Sequence, residues 1–178
     1  MRKIILYIAS SLDGYIARKN GEVDWLDEFN NTGEDYGYYK FYDSIDVTLM
    51  GNETYKTSMS VGEFPYKEKK NYVFTRRKIL PQGDYVEFIN KNIVSFTKNL
   101  KTRKGKDIWL VGGTQINELF FNNELIDELI LSIMPVTLGN GIPLFTESVK
   151  QIKFKLKSER PYGNVVQLCY SVLKNEYQ

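Results

Sequence analysis

Apolar residues fall along the chain in short dense runs separated by stretches with helical spacing. Residues 3–9 (KIILYIA) are almost wholly apolar, which predicts a central strand covered on both faces. Residues 46–51 (DVTLMG) and 71–75 (NYVFT) read as further buried strands, and 85–89 (YVEFI) alternates as a strand should. Residues 35–45 (DYGYYKFYDSI) place aromatics as a helix would. NETYKTS, from Asn52, begins like a helix with Asn52 as its capping candidate. Ile93, Phe96 and Leu100 share one face of a helix over 91–103. Ile108–Val111 then form a strand that runs directly into Gly112-Gly113, after which Ile116, Leu119 and Phe120 resume helical spacing.

From residue 126 the pattern changes. Residues 127–138 (DELILSIMPVTL) read as one long strand, 152–158 (IKFKLKS) alternate strictly, 161–163 (PYG) form a turn, and 165–173 (VVQLCYSVL) form a last strand. Alternating β and α elements followed by strands alone predict an α/β fold. Its central sheet is mixed and mostly parallel, with helices on both faces and antiparallel C-terminal strands. No repeat, low-complexity segment or internal linker breaks the chain, so residues 1–178 are expected to form a single domain.

Composition narrows the chemistry. Aromatics make up 14% of the chain, enough for a core and a flat-ring pocket, while a net charge of +2 argues against a nucleic-acid partner. The complete absence of histidine removes imidazole acid–base catalysis and His zinc ligands, and with one cysteine, Cys169, no metal site is expected. The lone cysteine also fits a reducing, cytoplasmic compartment. The N-terminal apolar run covers six residues, too short for a secretory signal, and no run approaches membrane-spanning length.

In open α/β sheets, ligands gather outside the carboxyl ends of the strands. Four such ends are distinctive here: ASSLDG, MGNETY, FTRRK and VGGTQ. Two put glycine at a strand-to-helix junction, and one presents a hydroxyl followed by Arg76-Arg77-Lys78. Helix N-termini suit a diphosphate and arginines suit a further phosphate. Each segment also has a plainer reading: Gly112-Gly113 and Asp13-Gly14 as turns, and the basic triplet as a solvated loop.

The order YIASSLDGYIA, LMGNETY, VFTRR, IWLVGGTQINELF and DELILSIMPVTLGNGIPLF resembles the dihydrofolate reductase-like superfamily over nearly the whole chain. It is most similar to the branch containing the reductase domain of riboflavin biosynthesis. The resemblance implies NADPH lying across the strand ends. Val111, Gly112, Gly113, Thr114, Gln115 and Ile116 would receive its diphosphate and nicotinamide side. Gly51 and Thr54 would open a second helix toward the same diphosphate, and Thr75 and Arg76 would meet the 2′-phosphate. Ala9 and Ile16 would border the carboxamide, under a mobile flap from Ser10 to Tyr15. Two departures stand out: Asn52 replaces an arginine common in the family, and Thr114 replaces a third glycine.

The resemblance also implies a reductase acting on a pterin-like or aminopyrimidine ring. Counting back from Gly51 without gaps places the carboxylate that holds the pterin in dihydrofolate reductases at Asp35. Tyr39 lies one turn on, so the two are expected to face one pocket. A helix-start acid is the plainer reading of Asp35. Asp13 of SLDG is the substrate-side candidate in the riboflavin branch. Members of that branch are often fused to a zinc deaminase, whose His and Cys ligands this chain lacks, so a stand-alone reductase is expected. It would pair as a homodimer through its C-terminal strands. A true dihydrofolate reductase, or a non-catalytic nucleotide or flavin binder of the same fold, is the alternative.

Overall fold

The computed structural model describes residues 1–30, 32–60, 62–77 and 85–174. Strands β1 (Ile4–Ser11), β3 (Ile45–Gly51), β4 (Lys70–Phe74), β5 (Val86–Ile89), β6 (Asp107–Gly112), β7 (Glu128–Met134), β9 (Lys153–Tyr162) and β10 (Val165–Leu173) form one sheet. Its order is β5-β4-β3-β6-β1-β7-β10-β9. The first six strands run parallel, and β10 pairs antiparallel with both β7 and β9. The expected α/β fold with a mostly parallel sheet and antiparallel C-terminal strands is thus observed.

Helices cover both faces. Helices α4 (Ile93–Thr102) and α5 (Thr114–Asn122) put Leu100, Phe120 and Phe121 against Ile4, Leu6, Leu49, Ile108 and Leu110. On the other face α2 (Tyr38–Ser44) lays Phe41 on Ile5, Ile45 and Trp109, and α3 (Asn52–Ser60) contributes Tyr55 beside Met50 and Val73. Because consecutive strand residues point to opposite faces, Ile4 and Leu6 serve one core and Ile5 and Tyr7 the other. Burying each such side chain stabilises the fold by about 1.5–3 kcal/mol.

Several boundaries differ from the sequence reading for local reasons. The helix expected over 35–45 begins only at Tyr38, because Asp35 to Gly37 form its capping turn. A short helix, α1 (Asp27–Asn30), precedes it. The strand expected over 127–138 stops at Met134, since Pro135 has no N–H for the ladder. The reverse happens at Pro161: β9 runs through it to Tyr162, and the turn follows at residues 163–164. A proline is tolerated there because β9 is an edge strand. A small separate pair, β2 (Tyr15–Ala17) with β8 (Ile142–Pro143), has no strong periodic signal in sequence.

Candidate active site

Strand order creates a crevice. Strand β3 leaves the sheet into α3 on one face, while its neighbour β6 leaves into α5 on the other. Adjacent strands that exit to opposite faces part at their carboxyl ends, which is where ligands bind in such sheets. Here the two glycine junctions meet. Gly113 has φ 96°, and a Cβ on it would stand 2.9 Å from Thr54 Oγ1 and 3.9 Å from Gly51 Cα. A Cβ on Gly51 would stand 3.3 Å from Ile116 Cγ1. The structure therefore brings Gly51, Thr54, Gly113 and Ile116 together. Gly113 is glycine for two reasons: its backbone is left-handed, and it sits too close to α3 for a side chain.

Gly113 precedes α5, and among the described residues no side chain caps that helix. The Gly113 carbonyl accepts the N–H groups of Ile116 (2.9 Å) and Asn117 (3.0 Å), so the first turn is formed and its leading amides face the crevice end. Such a helix start attracts an anion. Arg76, just past β4, donates through Nη2 to Gln115 Oε1 at 3.1 Å, so it reaches the same helix start. Thr75 is buried and its hydroxyl accepts the Arg77 N–H at 3.1 Å, which shapes the turn that presents the arginines. Lys78 lies outside the described residues. Asn52 is tied to Glu53, which also pairs with Lys56.

A slot continues the crevice into the sheet. Pairing of β1 with β6 ends at Leu6↔Leu110, although both strands run on; pairing of β1 with β7 continues to Ser11↔Met134. The Ile108 N–H donates to Lys3 O, so the odd-numbered residues of β1 turn their backbone groups toward β6. Past the end of that ladder, the Tyr7 carbonyl is taken by the indole N–H of Trp109 at 3.2 Å. By the same alternation the N–H and C=O of Ala9 face the slot. Ile16 packs from β2 onto the main core, and the Val111 side chain lies between the cores on the α2 and α3 face.

The substrate-side expectations change. The Asp35 carboxylate accepts the N–H groups of Gly37 (2.9 Å), the N-cap residue of α2, and Tyr39 (3.3 Å) in its first turn, so it serves that helix start as a side-chain capping acceptor. Tyr39 is 69% exposed and stacks edge-on against Tyr38, so Asp35 and Tyr39 frame no common pocket. Asp13 is likewise engaged. It accepts Ser11 Oγ at 2.6 Å, Leu138 N at 3.1 Å and Gly139 N at 2.7 Å. The Ser11 hydrogen bond, followed by those of Leu138 and Gly139, holds its carboxyl below the usual range. The segment from Ser10 to Tyr15, expected as a mobile flap, is fastened by these bonds, by Leu12 N to Val136 O (2.8 Å) and by Leu144 N to Gly14 O (2.9 Å).

Other groups, which the sequence did not single out, surround the slot's open end. Trp25, beside Ala9 and Met134, is buried, and its indole N–H has no acceptor among the described residues. Tyr36 and Tyr162 meet edge to face at 5.7 Å and wall a cavity of about 550 Å³ with Phe29, Glu28 and Glu34. Beneath it, Tyr7 donates to Tyr36 O at 3.1 Å, and the Gln167 amide nitrogen reaches Tyr36 O (2.9 Å) and Ser132 Oγ (3.2 Å). Burial pushes the Tyr7 hydroxyl up to about 12, so it stays protonated and donates. The one signal in sequence was Trp25 itself, an isolated large ring within the polar stretch GEVDWLDEF.

Residues 2–168 match the RibD C-terminal domain family. The chain belongs to that family. The uncharacterized protein YwjB of Bacillus subtilis (strain 168) is 44% identical over 170 residues, covering 95% of this chain and 97% of YwjB. Among solved structures, a putative riboflavin biosynthesis protein from Shewanella sp. PV-4 superposes with a TM-score of 0.86 at 30% identity, over 97% of this chain and 99% of that one. Dihydrofolate reductase from Enterococcus faecalis, complexed with NADP(H), superposes with a TM-score of 0.70 at 15% identity over 97% of both chains, which shows the shared fold. This chain thus has the dihydrofolate reductase-like architecture.

Proposed function

We propose that this chain is an NADPH-dependent reductase that delivers hydride to a pterin-like or aminopyrimidine ring, as riboflavin-pathway reductases do. The observation that carries the reading is the junction of Gly51 and Thr54 with Gly113 and Ile116, with Arg76 reaching the same uncapped helix start. Its residues fit a phosphate-rich dinucleotide. The first amides of α5 suit a diphosphate, a close approach that only glycine at 113 leaves open. Arg76, seconded by Thr75, suits the 2′-phosphate, and the slot-facing backbone of Ala9 suits a carboxamide, which donates and accepts at once. The bound dinucleotide supplies hydride chemistry; the protein supplies position and water exclusion.

Capping of α2 by Asp35 weighs against a true dihydrofolate reductase, because the carboxylate expected to hold a pterin is already bound to two backbone N–H groups. The test is a binding titration with NADPH, followed by the decay of its absorbance with dihydrofolate and with the ribosylaminopyrimidine intermediate of riboflavin synthesis. Oxidation with the second and not the first is expected. No binding of NADPH would sink the reading, and binding without oxidation by either substrate would leave a nucleotide binder.

A further inference from the structure

Asn117 is fully buried, yet neither its amide nitrogen nor its amide oxygen has a hydrogen-bond partner among the described residues. Buried amides are rarely left this way, because each unmade bond costs stability. This fold satisfies them elsewhere. Asn71, equally buried, donates to the carbonyls of Tyr66 (2.9 Å), Lys69 (2.8 Å) and Tyr85 (3.0 Å), and its Oδ1 accepts from Thr48 (2.5 Å). The exception therefore needs a local cause.

Its location supplies one. Asn117 lies in the first turns of the nine-residue helix α5, its own N–H bonded to Gly113 O. A Cβ on Gly112 would stand 3.5 Å from both its Nδ2 and its Oδ1. The amide thus fills the space that Gly112 leaves empty, at the end of β6 where β1 has already parted from it. The neighbouring Thr114 Oγ1 is also buried without a partner among the described residues. No backbone hydrogen bonds close the β1–β6 seam at this level, so a ligand group can enter there without breaking any.

We propose that Asn117 recognises the nicotinamide-riboside half of the dinucleotide, donating to and accepting from its hydroxyl and carboxamide groups in the slot between β1 and β6. The proposal rests on the NADPH reading of this site. The adenosine end, with its phosphates, is assigned to Arg76 and the helix start, so the two halves are separable. A free amide with one donor side and one acceptor side matches the riboside, which offers both, and does not match a bare phosphate, which only accepts.

Calorimetric titration with NADPH, NADP⁺ and 2′,5′-ADP, which carries the adenosine phosphates and no nicotinamide riboside, separates the halves. Asn117→Leu keeps the number and branching of the side-chain heavy atoms and removes both unpaired polar groups. It is expected to raise the melting temperature of the unliganded protein by about 2–4 °C, weaken NADPH and NADP⁺ at least about tenfold, and leave 2′,5′-ADP unchanged. Asn117→Ala, with less risk of overpacking, should show the same selective loss of the nicotinamide ligands. Equal weakening of all three ligands, or undiminished NADPH affinity in Asn117→Ala, would overturn the assignment. So would a lower melting temperature in Asn117→Leu with binding intact, which would mean a structural amide bridged by water. If the wild type binds 2′,5′-ADP and not NADPH, this proposal fails while the phosphate site stands; if it binds neither, both fail.

Discussion

Arg76 Nη2 donates to Gln115 Oε1 at 3.1 Å, joining the turn after β4 to the first turn of α5, 39 residues away in sequence. The guanidinium is thereby held beside the helix start, where a second phosphate of a dinucleotide would lie. Arg76→Ala should weaken NADPH at least about tenfold, since a charge-assisted contact is worth about 1.5–3 kcal/mol, with NADH little changed. Equal affinity of the wild type for NADPH and NADH in a fluorescence titration would remove the basis for this expectation.

Gly113 tests the cradle. Gly113→Ala places a methyl 2.9 Å from Thr54 Oγ1 on a backbone at φ 96°, so it carries both a clash and a conformational strain of roughly 1–2 kcal/mol. Adding Thr54→Ala removes the clash and keeps the strain. The double variant should recover part of the lost melting temperature but none of the NADPH affinity, because a side chain still crowds the Gly51–Gly113 junction and Thr54, itself a proposed cofactor contact, is gone. Full recovery of binding in the double variant would reduce Gly113 to a turn residue.

Asp35 separates capping from chemistry. As a cap, Asp35→Ala should cost about 1 kcal/mol of stability, while Asp35→Asn, whose carbonyl still accepts, should cost much less. Cofactor affinity should be the same in both. A hundredfold fall in kcat/KM for Asp35→Asn with unchanged melting temperature would return this residue to the reaction.

At the opposite end of the sheet, Asp127 receives Lys101 Nζ at 2.5 Å, Lys174 Nζ at 2.7 Å and the Ile4 N–H at 2.9 Å. Burial alone would raise its carboxyl, and these donors outweigh it, so the folded value lies below the ordinary one. A depressed carboxyl stabilises the fold above the unfolded value of about 3.9, and the contribution is lost as pH falls through the folded value. The melting temperature should therefore drop on acidification below about pH 4, and Asp127→Asn should flatten that acid limb. An unaltered limb in Asp127→Asn would assign acid sensitivity to other carboxyls, Glu128 with Lys3 and Lys157 first among them.

The periodic part of the fold was legible in sequence. KIILYIA and IWLV are dense enough in apolar residues to specify central strands, and glycine at 51 and 112–113 marked the exits that form the crevice. What escaped was set by partners distant in the chain. Asp13 carries the same carboxylate whether it faces a ligand or a backbone N–H, and only the positions of Leu138 and Gly139 decide between the two. Tyr36 and Tyr162 are 126 residues apart, so neither local spacing nor composition places them across one cavity. Asn117 sits among apolar neighbours at helical spacing, and its lack of a partner is a property of packing alone.

The short ladder between β1 and β6 has a mechanical consequence. Strand β6 stays paired with β3 up to Met50↔Gly112, and β1 stays paired with β7 to its last residue. The eight strands are thus two four-stranded leaves, joined at one end by Ile4↔Ile108, Ile5↔Trp109 and Leu6↔Leu110. A molecule wedged at the free end breaks no ladder bond between the leaves; what holds them together there is side-chain packing, the core that sets Ile4, Leu6 and Leu129 against Leu49, Ile108 and Leu110.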